Sequence, residues 1–481
     1  MSTRAVRRTV HLERGPTRRM VTKDRFSIAV VGSGLAGSQA ALTIANLGAQ
    51  VELFEMRPLL QTAAHRTADA AELVCSNSLR SNEAHSAPGL LKQELRLLGS
   101  DLIRIADGAA IPGGTSLTVD REQFSRQVTA ALHAHPLIQI RNEHVVEVPH
   151  DRICILATGP LTSDALARSI QSLTGEENLA FYDAIAPVVD AETIDTGQVF
   201  AASRYDKAGA DFLNCPLDRR QYEEFRGALL SAEGIFKHPF DELNFFGCVP
   251  LEELARRGEQ TLRYGPMKPV GLRDPRTGVA PYAVVQLRSE NLRSDSFNMV
   301  AFQNQLKFGE QQRVFRMIPG LQRAEFLRFG QMHRNTYVRA PALLDADLSL
   351  RRHPNVFLAG QLCGVEGYVE AMATGLVAGI NAWRCLAGLV PLRLPRFTAV
   401  GSILHYLAHA DVKEFAPVRF TFDLLPAPAE GREPAIRDRQ RRRAHQCARA
   451  IRALREVTPR AAPPHDEPAV SSSIMVPSDD Q

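Results

Sequence analysis

The first organised stretch of apolar and polar positions is FSIAVVGSGLAGSQAALTIANLGAQVELFEMRP. Its apolar run predicts a strand from Phe26 to Val31. A tight turn follows from Gly32 to Gly37, then a helix from Ser38 to Leu47 and a second strand from Gln50 to Glu55. Two later segments have the same character. RICILATGP, Arg152 to Pro160, predicts a buried strand ending in Ala-Thr-Gly. NVFLAGQLCGVEGYVEAMATGLVAGINAW, Asn355 to Trp383, predicts a strand, a turn at Gly360 and a long helix. Between them, roughly residues 184–340 are richer in turns and polar motifs. The pattern therefore predicts an α/β fold in which both ends of the chain build a Rossmann-like, two-dinucleotide-fold domain, 25–183 and 341–425. A large α+β domain is inserted at 184–340. Two unrelated buried strands are the plainer alternative.

Composition narrows the class. The 481 residues are 44% hydrophobic, enough for two domains with sizeable cores. A net charge of +4 permits a polyanionic partner without requiring one. The seven cysteines include no C-x-x-C pair, so neither a disulfide framework nor a zinc site is indicated, and no metal is expected. The apolar runs are short and broken by glycine, so no membrane span is expected, and reduced thiols point to the cytoplasm. Residues 1–24 read as a basic disordered arm without the apolar core of a secretory signal. At the other end, 426–457 read as a Pro-rich linker and an arginine-dense helix, and 458–481 as a disordered tail.

The glycine turn carries the first chemistry. Gly32 makes the turn, Gly34 lets the backbone approach a pyrophosphate and Gly37 lets the helix pack on the strand, with Ser33, Leu35 and Ala36 between them. Glu55 is placed to accept from a ribose hydroxyl, with Arg57 beside it. NAD and FAD both fit this motif. The Ala-Thr-Gly strand and the second glycine segment, with Gly360, Gln361, Gly367 and Tyr368, favour FAD. A separate oddity is AELVCSNSLRSN, where Cys75 stands among Ser76, Asn77, Ser78 and Arg80. A cysteine acting as a small hydrophobe suits Cys154 and Cys385 but not this polar setting. In the middle region, SRYDK and YGPMKPVGLRDPRTG, which contains Lys268, would suit a surface that grips an anion and stacks a ring, or a merely solvated one.

The blocks GSGLAGSQAA, ELVCSNSLRSN, GLLKQELR, PGGTSLTVDREQFS, NCP, GCVPLEELARRG, GPMKPVGL, PYAVVQLR, EQQRVFRMIPGL, MHRNTY and AGQLCGVEGYVE resemble the folate- and flavin-dependent tRNA (uracil-5-)-methyltransferase family, TrmFO, from about Phe26 to Phe422. The resemblance implies methylation of a tRNA uridine at C5, with ribosomal RNA as an alternative target. FAD is the implied cofactor, 5,10-methylenetetrahydrofolate the carbon donor and NADPH or NADH the reductant. It implies that Cys248 attacks uracil C6, a task suited to a thiolate. Cys75 is implied as a second cysteine near the flavin. Asn77, Arg80, Lys268, His333, Arg334 and Asn335 become candidates for folate or substrate. Three departures stand out: Gln39 where the family commonly has Glu, Phe246 where an acid is common, and AFQN, Ala301 to Asn304, in place of Gly-Phe-Gln-Thr. A flavin thiol oxidoreductase and an RNA-binding protein without methylation are the other classes of function.

Overall fold

The structure, a computed structural model, describes residues 27–62, 64–176, 179–184, 186–206, 209–235, 249–330, 332–426, 436 and 438–457. Cys248, Phe246, the arm at 1–24 and the tail at 458–481 lie outside the described residues, as do the side chains of His333 and Arg334.

Strand β1 (Ser27–Val31) pairs in parallel with β2 (Gln50–Glu55), Ser27 opposite Gln50. On its other side it pairs with Cys154–Leu156, which in turn pairs with His353–Leu358, also in parallel. The full order runs Ser349–Leu350, His353–Leu358, Cys154–Leu156, β1, β2, Ile138–Asn142, so both ends of the chain do share one sheet. Its central strands are buried on both faces and accordingly read as unbroken apolar runs.

Helix α1 spans Leu35–Asn46 and so starts ahead of the predicted Ser38. Gly34 is its N-cap, and Ser38 lies within the first turns with its hydroxyl donating to the Ser33 carbonyl. Helix Tyr368–Leu386 packs along α1 over the sheet. Two glycines set how close these pieces come. A Cβ on Gly37 would lie 1.8 Å from the Gly32 carbonyl oxygen, and one on Gly375 would lie 2.2 Å from that of Ala36. The altered Gln39 is fully buried in α1, where its amide oxygen accepts from Ser100 Oγ and Leu102 N. A neutral amide makes these bonds without burying a charge.

The insertion forms an antiparallel sheet in the order Phe200–Ala201, Phe212–Leu217, Ala283–Ser289, Ser296–Met299, Val188–Asp190, Phe326–Arg328, with its own hydrophobic core. Strands Leu179–Ala184 and Met332–Tyr337 pair as a two-stranded ribbon between the two units. At the far side, Glu94 accepts from Ala399 N and Val400 N and caps helix Ala399–His409, while burial pushes its carboxyl up to about 7. The arginine-dense segment is helical over Arg439–Val457 and buries Cys447, Ala450 and Leu454.

Candidate functional site

A cleft of ≈ 640 Å³ opens between the nucleotide-type sheet and the insertion. Gly32, Gly34, Glu55, Thr158, Gly360 and Tyr368 line it from one side, and Arg288, Asn298, Val300 and Gln303 from the other. Cys75 and Arg80 lie on its wall. Two residues 293 apart in sequence, Cys75 and Tyr368, meet there directly.

The glycine side is built from backbone. Gly34 lines the cleft, and a Cβ added to it would meet nothing within 4 Å, so its bare face looks onto open space. Neither α1 nor helix Tyr368–Leu386 has a side-chain cap, and both begin at cleft-lining glycines, Gly34 and Gly367. Their first-turn N–H groups are therefore suited to an anionic or electron-rich ligand. Ser33 and Gly37 are turned behind this surface. Ser33 N and Oγ donate to Glu55 Oε2 at 2.9 and 2.6 Å, and Arg57 N and Nε donate to Oε1 at 3.0 and 2.9 Å. Burial raises the Glu55 carboxyl, but Arg57 and then Ser33 outweigh it and hold it at about 2. These donors fill the acceptor positions of a carboxylate, so a ribose hydroxyl reaches Glu55 only by displacing one of them.

The thiol side is built from buried charge. Arg328 donates to the carbonyls of Val74 and Cys75 at 3.0 and 3.1 Å, and Arg121 to that of Leu73. Arg288 donates to Ser76 Oγ at 2.6 Å and Asn77 Oδ1 at 2.9 Å. Tyr368 Oη accepts from Cys75 N and Ser76 N at 2.8 and 3.1 Å. Glu290, 2.6 Å from Arg121, is the carboxylate ion-paired within this group. Burial lowers the Arg288 guanidinium and pulls that of Arg328 down to about 10, the neighbouring Arg121 charge adding to the latter shift. The Cys75 sulfur acts oppositely on both, from a half-buried position.

Several sequence-predicted residues fall elsewhere. Asn77 is fully buried, its amide donating to Val119 O and Ser289 O and its oxygen taken by Arg288, so it fastens the insertion to the loop and has nothing left for folate. Lys268 is exposed away from the cleft lining, and Asn335 is buried in the ribbon beside it. Gln361 lines the cleft. Sequence reading missed Arg288, Arg328 and Arg121, and also His144, whose Nε2 is buried on the cleft wall without a hydrogen-bond partner among the described residues. Only the buried strand PYAVVQLR offered a signal, an arginine at the end of an apolar run.

The donor set fits FAD: a bare glycine cradle, two uncapped helix starts and the orphaned His144 Nε2 along one elongated wall. Comparisons agree. A family profile described as Glucose inhibited division protein A matches residues 27–389. A methylenetetrahydrofolate–tRNA-(uracil-5-)-methyltransferase TrmFO from Solibacter usitatus is 55% identical over 435 residues, covering 89% of this chain and 98% of that protein. The protein of the same name from Koribacter versatilis is 51% identical over 429 residues, covering 89% and 97%. Among solved structures, Aquifex aeolicus GidA superposes with TM-score 0.65 at 17% identity, covering 90% of this chain and 76% of that one, a likeness of fold.

Proposed function

The chain belongs to the TrmFO family of methylenetetrahydrofolate–tRNA-(uracil-5-)-methyltransferases, and from that premise we propose that it methylates the T-loop uridine of tRNA in this cleft. It is an FAD- and folate-dependent enzyme acting on uracil C5 of tRNA, with methylenetetrahydrofolate as carbon donor. Bound FAD, once reduced by NADPH or NADH, supplies the reducing equivalents that make the transferred carbon a methyl group.

The observation that carries the reading is the position of Cys75, on the cleft wall beside Tyr368 and within an arginine-rich surround. The Cys248 thiolate adds to uracil C6 and makes C5 nucleophilic. Once C5 has taken the carbon, Cys75 accepts the C5 proton, and the C6–S bond breaks to restore the ring. Leu251 N donates at 2.8 Å to the carbonyl of Gln303, a cleft-lining residue. Arg80, on the cleft wall and 3.9 Å from the buried Glu370, with His333 and Arg334, is assigned to the folate. Gly34, Gly360, Gln361, Gly367 and His144 are assigned to the FAD. The site of action is the cytoplasm.

Purified holoenzyme with methylenetetrahydrofolate and NADPH is expected to form ribothymidine in unmodified tRNA, and Cys248→Ala to form none. Product in ribosomal RNA alone would keep the chemistry and change the substrate. Reductant oxidation with no product on either RNA would sink the methyl-transfer reading.

A further inference from the structure

A second cavity, of ≈ 730 Å³, lies wholly within the insertion and takes no part in the chemistry above. Its walls come from SRYDK and YGPMKPVGLRDPRTG, the two motifs that suggested a ring-stacking, anion-gripping surface. Tyr205, Arg263, Arg273 and Tyr282 line it, and among the described residues no carboxylate does.

Tyr205 is held in an unusual way. Its φ is +60°, a region where an aromatic residue is strained, and its N–H donates at 2.8 Å to the Gly271 carbonyl. Its ring lies against Gly271, where an added Cβ would come within 3.1 Å of three ring carbons, yet the residue is 60% exposed. One face of the ring is thus braced and the rest is presented to solvent. Opposite, the Arg263 guanidinium sits 4.3 Å from the Tyr282 ring centroid and 5.6 Å from that of Tyr264, which is 70% exposed. The wall is stiffened by Asp274, which binds Arg276 Nη2 at 2.6 Å, while Arg276 Nη2 also donates to the Gln198 carbonyl. Lys268 is exposed on the same turn.

The cavity and the cleft share a wall. Arg204 donates to the Val270 carbonyl on the cavity side and to Gln286 Oε1, and the Gln286 carbonyl accepts from Val300, which lines the cleft.

We propose that this cavity is a second RNA-binding site, in which an unpaired base of the tRNA stacks on Tyr205 while Arg263 and Arg273 take the adjoining phosphates. Exposed aromatic faces interleaved with cations bind single-stranded nucleic acid without strict sequence preference. Among the described residues none lines both the cavity and the cleft, so the base held here is a different one from the base being methylated. The proposal rests on tRNA being the substrate, and gives the enzyme a way to read tRNA beyond the target stem–loop.

The test is equilibrium binding of RNA to the holoenzyme, read without turnover. Unmodified full-length tRNA is compared with a minimal stem–loop carrying only the target uridine. Tyr205→Ala and Arg273→Gln are expected to weaken tRNA binding on the order of tenfold and to leave the stem–loop unchanged. Tyr205→Phe, which keeps the ring, should bind as the wild type does. Arg273→Gln should also lower the salt slope of tRNA binding by about 1. Wild-type tRNA affinity in both variants, the outcome expected if an acidic protein is the true occupant, would overturn the proposal. So would equal losses on both RNAs. Absence of methyl transfer by the wild type would overturn the functional reading instead, while tRNA binding that depends on the cavity would still stand.

Discussion

The two walls of the cleft are built by opposite means. On the nucleotide side, close approach of backbone does the positioning: Gly34 leaves a bare surface, Gly37 lets α1 settle on the turn, and the Glu55 carboxylate is matched by Arg57, which also lies 3.6 Å from Glu72. On the thiol side, three guanidiniums hold the loop 73–77 in place with Glu290 as their paired carboxylate. The first wall is local and charge-balanced. The second is assembled at long range and carries excess positive charge. Backbone cradles suit a cofactor that stays bound, whereas a surround in which guanidiniums outnumber carboxylates suits a group that must hold negative charge during reaction.

The comparison can be broken most severely at Gly37. Gly37→Ala would place a methyl group 1.8 Å from the Gly32 carbonyl oxygen. It is expected to cost about 3 kcal/mol and to release the flavin, measured by urea denaturation and flavin absorbance. On the other wall, Arg288→Met leaves buried Asn77 Oδ1 and Ser76 Oγ without that donor. A loss of about 2 kcal/mol and a fall in kcat with the flavin retained are expected. Flavin loss in this variant would mean that the walls are not independent.

Acid should separate the walls further. The folded Glu55 carboxyl sits at about 2, below its usual value of 4.5, so its stabilisation is present above pH 4.5 and drains as pH falls toward 2. Wild-type stability measured from pH 7 to pH 3 should therefore fall on the acid side by about 2 kcal/mol more than that of Glu55→Gln. An identical acid slope in the variant would refute the buried pair. The smallest effect is expected at Ala301, which lines the cleft with φ +62°. Ala301→Gly removes the left-handed strain and should raise stability by about 1 kcal/mol, seen as a small rise in Tm.

How each wall is made also explains what could be read from the amino-acid order. The Gly32–Gly37 turn, β2 and the return strand at Cys154 were legible because their constraints lie within a few residues, although α1 starts at Leu35, ahead of the predicted Ser38. Cys75 stood out by its odd company. Its clamp did not, because Arg288 and Arg328 reach it from 212 and 253 residues away, and nothing in either arginine's own surroundings marks it as a partner of that loop. Asn77 was misread for the same reason: polarity in sequence looked like availability, and in the fold every polar atom of its amide is already engaged. Ala301 is the converse case, a departure visible in sequence whose meaning appears only with its positive φ.

The central claim is that Cys75 and the nucleotide turn share one cleft. Peptide-resolved alkylation of the flavin-free protein and of the FAD-saturated holoenzyme tests it most directly. Cys154 and Cys363, whose thiols burial pushes up to about 12, and the fully buried Cys215 serve as unreactive controls. Alkylation of Cys75 in the flavin-free protein that is largely abolished by FAD, with all three controls silent, is the predicted result. Equal modification of Cys75 with and without FAD would place the thiol outside the flavin cleft and contradict the account.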